Sequence, residues 1–199
     1  TRRCWGAGAV LRSKWSPSPP PSRGSLECGV PLVLSGGTQF LAVSDVNQEG
    51  GLGAPRVLFP TPAYQLAQTP RYSPDGSKIA VSAWQEGGFR DVWIVDVATG
   101  ERRTLMHDRA VDLQPSWSPD GKTIYFSSDR TGIRSLYAYD LATDKTWQVT
   151  NVESGAFMPE LAPEGDRLVY VGYGSEGFDL YGLPIDRSKW QVAPAYLDD

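Results

Sequence analysis

Histidine and cysteine are nearly missing from this chain: 199 residues hold one His and two Cys. His107 and the distant thiols Cys4 and Cys28 cannot furnish the usual nitrogen- or sulfur-rich metal site, so no metal ligands are expected. Cys4 and Cys28 read as unpaired thiols; a bridge between them would show in non-reducing mass analysis. Long apolar runs are also missing. The best candidate, Val30 to Leu34, falls far short of the roughly 20 residues that cross a bilayer, so no membrane insertion of this segment is expected. There is no Lys/Arg run, and acidic residues outnumber basic ones, 23 to 19, for a net charge of −4. That balance argues against a nucleic-acid or anionic-membrane surface. An initiator methionine is lacking too. The chain begins at Thr1, from which the natural amino terminus is expected to have been lost or processed.

What is present is a repeat. Pro70-Arg-Tyr-Ser-Pro-Asp-Gly76 recurs as Pro115-Ser-Trp-Ser-Pro-Asp-Gly121 and, eroded, as Pro159-Glu-Leu-Ala-Pro-Glu-Gly165, at spacings of 45 and 44 residues. This period is that of a β-propeller blade. Ile79, Ile124 and Leu168 each follow the turn glycine by three residues and open an apolar strand. A second register, Val92–Val95, Leu136–Tyr139 and Leu180–Leu183, ends at Asp96, Asp140 and Pro184. A final strand is expected near 102–106, 146–150 and 190–193. The strands are apolar on both faces, so each sheet needs a neighbour on either side. Ser-Pro-Asp-Gly supplies a tight hairpin: proline presets φ, aspartate binds nearby amides and glycine accepts positive φ. The chain is therefore read as all-β, an incomplete propeller arc of about three four-stranded blades plus part of an earlier one.

The organisation follows: a Pro/Ser-rich, poorly structured segment over 1–34, a partial blade and connector over 35–69, and blades over 70–114, 115–158 and 159–199. In such blades the Pro-Asp-Gly turns share one end. The opposite end collects the longer loops 85–90, 107–114, 129–134, 152–158 and 173–177, the better binding surface. Arg90, His107, Asp112, Asp129 and Arg130 are the candidate contacts there. Trp93 and Trp117 fall at repeated strand positions and are assigned to the core, whereas Trp84 is the tryptophan available for contact.

Three tempting motifs fail. Gly172-Tyr-Gly174-Ser-Glu-Gly177 fits a dinucleotide fingerprint, yet a strand rather than a helix follows, which makes it a turn and leaves no cofactor expected. Asp45-Val-Asn47-Gln-Glu49-Gly50 starts like a calcium loop, but Arg56 stands where the closing Glu belongs. His107-Asp108 has no partner nucleophile, since no Gly-x-Ser-x-Gly elbow occurs; no catalytic residue is assigned.

The Ser-Pro-Asp-Gly turns, Phe126-Ser-Ser-Asp-Arg-Thr-Gly132 and Leu136-Tyr-Ala-Tyr-Asp140 resemble the WD-like repeats of TolB-type propellers over about residues 56–193. They are also similar to the propeller of prolyl oligopeptidase-type peptidases. The resemblance implies a non-catalytic module of a bacterial envelope or periplasmic protein, binding protein or peptide and forming a piece of a usually six-bladed ring. Its alternative is the substrate-gating propeller of a serine peptidase whose catalytic domain lies elsewhere. Open blade edges also allow self-association.

Overall fold

The computed structural model describes residues 10–11, 28–35, 39–47, 51–60 and 67–196. Four antiparallel sheets follow one another along the chain. The first holds β2 (Cys28–Ser35), β3 (Gln39–Val46) and β4 (Arg56–Pro60), with the short β1 (Val10–Leu11) added parallel to β2. The second is β5 (Ala67–Tyr72), β6 (Lys78–Trp84), β7 (Arg90–Asp96) and β8 (Arg102–Thr104). The third is β9 (Leu113–Trp117), β10 (Thr123–Ser128), β11 (Ser135–Asp140) and β12 (Lys145–Gln148). The fourth has β13 (Ala156–Leu161), β14 (Arg167–Gly174) and β15 (Gly177–Pro184). No helix among the described residues is long and apolar enough to cross a membrane.

Each turn is built as its residues dictate. In the second sheet Gly76 donates to the Ser73 carbonyl (2.9 Å) at φ 74°, Ser73 Oγ donates to Asp75 Oδ1 (2.6 Å), and Lys78 N donates to Ser73 Oγ (2.9 Å). The third sheet repeats this with Gly121, Ser118, Asp120 and Thr123. In the eroded copy Ala162 and Gly165 keep the backbone bond, 2.9 Å, while the serine hydroxyl is gone. The serine and aspartate thus reinforce a turn that the backbone and its positive-φ glycine already close. At the same end, Asp96 and Asp140 cap the next turn, each accepting from two backbone amides at 2.9–3.0 Å.

The repeat prolines sit inside the first strand of each sheet, not before it. Pro70, Pro115 and Pro159 each follow a residue at positive φ, Thr69 (49°), Gln114 (57°) and Met158 (51°), where the pairing with the second strand shifts register. Such a bulge bends the strand and re-aims its side chains. These first strands lie side by side, β5 against β9 and β9 against β13.

The core lies between sheets. Leu41 and Val43 pack on Ile79, Val81 and Val95; Ala80, Val92 and Ile94 pack on Trp117, Ile124, Phe126 and Tyr137; Tyr125, Leu136 and Ala138 pack on Leu161 and Leu168. Sheets covered on both sides account for the near-continuous apolar strands. Two buried serines at one repeat position tie neighbours together: Ser82 Oγ donates to the Asp112 carbonyl (2.7 Å) and Ser127 Oγ to the Ala156 carbonyl (2.9 Å). The result is a partial β-propeller. Trp117 is buried and Trp93 half-buried, while Trp84 is 38% exposed.

Two expectations are corrected. Residues 28–34, placed in a poorly structured segment, belong to β2, which pairs antiparallel along β3 from Cys28↔Val46 to Ser35↔Gln39. The strand near 190–193 does not close the fourth sheet. β16 (Gln191–Val192) turns back and pairs with β12 through Trp147↔Val192 and Gln148↔Gln191. Pro184 ends β15 where Asp96 and Asp140 cap a turn in the other sheets. The chain then makes a 3-10 turn (Arg187–Lys189) that lays Trp190 edge-on against Tyr125, with ring centroids 5.9 Å apart. The fingerprint-like Gly172–Gly177 is the hairpin between β14 and β15, with Gly174 opposite Gly177. At Asp45 the chain bends, with Asn47 N donating to the Gly51 carbonyl (2.9 Å).

Candidate functional site

The loops between second and third strands, and those between sheets, gather at the end opposite the Pro-Asp-Gly turns. The five candidate contacts fall into two layers there. Arg130 and Asp112 are interior: Asp112 is 0% exposed and Arg130 7%. Arg130 donates through Nη1 to Asp108 Oδ2 (3.3 Å) and through Nη2 to both Asp112 oxygens (3.4 Å), and its guanidinium lies 5.3 Å from the Tyr137 ring. Both side chains are thus buried, where contact with a partner was expected of them, and they hold the loop that links the second and third sheets. Sequence adjacency also misleads at 129–130. Asp129 pairs with Arg134 Nη2 (3.5 Å) and accepts from Val111 N (2.7 Å), not with Arg130.

Burial governs the electrostatics of this layer. It pushes the Asp112 carboxyl up to about 7 even beside Arg130. Asp91, also 0% exposed, is pushed up to about 7 by burial and then by the Asp108 charge, although Gln85 Nε2 donates to its Oδ2 at 2.6 Å. Among the described residues, none is within hydrogen-bonding geometry of Asp91 Oδ1. Among the described residues no group of three or more His, Cys, Asp or Glu is placed to hold a metal ion.

The outer layer is cationic and aromatic. His107 has 59% of its side chain exposed and stacks on Phe89 (4.4 Å between centroids), while its Nδ1 lies 3.9 Å from Asp91 Oδ2. The Arg109 guanidinium approaches the other partner of that stack, 5.5 Å from the Phe89 ring. Arg90 sits 5.3 Å from the Trp84 ring and donates to Gln68 Oε1. Burial and the nearby Arg134 charge lower the Arg90 pKa from its ordinary value. Such guanidinium–ring pairs contribute about 0.5–1 kcal/mol each at exposed sites and hold the charge in a fixed place. The structure thus joins Arg90 and His107 to Trp84, Phe89 and Arg109. Phe89 and Arg109 were missed because neither falls at a repeated position. Arg134 was legible: it stands 44 residues after Arg90, in the same loop just ahead of the third strand's apolar run.

The chain resembles known proteins over most of this arc. It is 30% identical over 123 residues to "Uncharacterized protein Atu1656" of Agrobacterium fabrum, covering 60% of this chain and 42% of that protein. It is 30% identical over 114 residues to "Uncharacterized peptidase YuxL" of Bacillus subtilis (54% of this chain, 17% of the peptidase). It is 35% identical over 93 residues to the Tol-Pal system protein TolB of Anaeromyxobacter dehalogenans (47% and 21%). The chain thus spans less than half the length of these relatives. Among solved structures, TolB from Acinetobacter baumannii superposes with a TM-score of 0.62 at 19% identity, over 76% of this chain and 37% of that one, a likeness of fold. Residues 62–198 match the family described as the TolB beta propeller domain, and with that match spanning the three repeats and their loops, the chain belongs to this family.

Proposed function

We propose that this chain is a non-catalytic propeller module that binds protein or peptide through its loop rim, as part of a longer polypeptide of the bacterial cell envelope or periplasm. The observation that carries this reading is the set of half-buried Arg90 and exposed His107 and Arg109 on the rings of Trp84 and Phe89, seated on the buried Arg130 cluster. Cations fixed over aromatic faces suit a peptide bearing carboxylates beside apolar side chains. Membership of the TolB propeller family supports the envelope setting.

Titration of the chain with labelled acidic, neutral and basic peptides tests this by fluorescence anisotropy. Acidic peptides bind, and the triple substitution Arg90→Ala, His107→Ala, Arg109→Ala weakens them by about tenfold or more, the range expected when a charge pair is removed. Asp144→Asn, at the opposite end, leaves binding unchanged. Equal binding by the triple variant would remove the rim assignment.

A second reading, a gating propeller of a serine peptidase, rests on the similarity to the YuxL peptidase. A Gly-x-Ser-x-Gly elbow followed by Asp and His in the parent reading frame, with peptide hydrolysis by the full-length protein, would select it over the first.

A further inference from the structure

Arg90 opens β7 and Arg134, 44 residues on, immediately precedes β11, so the two hold one repeat position on neighbouring sheets. Their backbones are pinned alike. The Arg90 carbonyl accepts from Asp112 N and the Arg134 carbonyl from Ala156 N, both at 2.8 Å. Each side chain then leans toward the first strands, which lie side by side. Arg90 donates to Gln68 Oε1 of β5, and Arg134 Nη1 donates to the Val111 carbonyl (3.3 Å), just ahead of β9. Val111 joins the pair, since it also forms a β-bridge with Arg90.

Their charges are answered differently. Arg134 pairs with Asp129 at 3.5 Å. Arg90 takes part in no ion pair among the described residues and rests on neutral groups, the Gln68 amide and the Trp84 ring. Arg90 is half-buried, and its Nε is buried with no hydrogen-bond partner among the described residues. Arg130 Nε shares that condition, yet Asp108 and Asp112 answer the Arg130 charge. A cationic N–H withdrawn from water without an anion is costly, and a second cation beside it adds to the cost. Burial and then the Arg134 charge accordingly lower the Arg90 pKa. Two guanidiniums less the Asp129 carboxylate leave one positive charge at this place.

We propose that Arg90 and Arg134 form a carboxylate subsite of the rim, which takes a single carboxylate of a bound peptide beside the Trp84 ring. The inference rests on the peptide-binding reading and deepens it by naming the group that is read and the two side chains that read it. A guanidinium edge offers a carboxylate two parallel N–H bonds, and for Arg90 that edge includes the unpartnered Nε. One carboxylate also neutralises the remaining charge. A side-chain carboxylate and a terminal one meet these needs equally, and the experiment separates them.

Three fluorescein-labelled heptapeptides test the subsite by fluorescence anisotropy: one with a central glutamate and an amidated terminus, one with a central alanine and a free terminal carboxylate, and one with neither carboxylate. At least one of the first two binds about tenfold tighter than the third, and the tighter one names the source of the carboxylate. Arg90→Gln and Arg134→Gln each cut that preference to about threefold or less, while Arg90→Lys, which keeps the charge and loses the fork, retains part of it. Acetate alone, followed by NMR of the arginine Nε–Hε groups in the wild-type chain, gives a readout that needs no variant to fold. The Arg90 signal shifts saturably, and that of Arg103, ion-paired with Asp144, does not. Equal binding of the three peptides, or a preference that both glutamine variants keep, overturns the subsite and leaves the peptide-binding reading standing. If none of the peptides binds, that reading fails and acetate decides: saturation at Arg90 upholds the subsite, and an unmoved signal overturns it.

Discussion

Replacing Arg130 by Met tests whether the buried cluster behaves as its burial dictates. The guanidinium lies 3.4 Å from both oxygens of Asp112, whose carboxyl is 0% exposed. Removing one partner of a buried ion pair costs about 3–5 kcal/mol, because the other charge is stranded away from water. That penalty applies only while Asp112 is ionised. Its carboxyl is already pushed up to about 7 by burial, so at pH 5 it is neutral in the wild type and in the variant alike. What remains at pH 5 is the loss of Arg130's hydrogen bond to Asp108 and its packing on Tyr137, about 1–2 kcal/mol. The destabilisation by Arg130→Met is therefore larger at pH 8 than at pH 5 by about 2 kcal/mol. Urea unfolding of both proteins at the two pH values, compared at constant slope, measures this. The wild type carries the same signature. Folding raises Asp91 and Asp112 above their ordinary value of 3.8, so their contribution is complete below about pH 4 and is lost as pH rises through about 7. A destabilisation equal at both pH values, within about 0.5 kcal/mol, would refute the account of a burial-raised carboxyl.

Two further outcomes follow from the repeat. Leu136→Ala lowers unfolding free energy by about 2–5 kcal/mol, as expected for a closed core site, whereas Leu180→Ala in dilute protein changes it by no more than about 0.5 kcal/mol. Matching losses at the two positions, in urea melts, would mean that Leu180 is covered within the single chain. At the turns, the Ser73 hydroxyl hydrogen bond, followed by those of Ser77, lowers the Asp75 carboxyl from 3.8 to about 2. Its stabilising contribution is present above the ordinary value and lost as pH falls through about 2. Carbon-detected NMR titration shows this, and Ser73→Ala moves the midpoint back toward 3.8; an unmoved midpoint would assign the shift to another cause.

The turns and the strand order were legible because they depend on neighbours in sequence. Ser-Pro-Asp-Gly closes its hairpin through bonds spanning two to five residues, and even the eroded Ala-Pro-Glu-Gly copy keeps the backbone part. Apolar residues on both sides of each strand likewise announced sheets stacked on sheets, and the paired positions of Ser82 and Ser127 repeat with them. Residue type at the loop end showed where a surface could be, but it did not separate its two layers. Asp112 and Arg130 carry the same charges as any exposed rim pair. Only the packing of the 105–112 loop on β10 and β11 puts them out of reach of water and turns the carboxyl toward neutrality. Phe89 and Arg109, 20 residues apart, meet through that packing alone.

The chain's own order of residues thus determined its repeat, its all-β class and the end at which loops gather, since each rests on local turn chemistry and strand periodicity. Tertiary structure alone decided that residues 191–192 complete the third sheet rather than the fourth, and that Leu180 stands in the open where Leu136 is buried. Both depend on which distant strand a segment meets, and a short apolar strand is equally suited to several partners until the sheets pack.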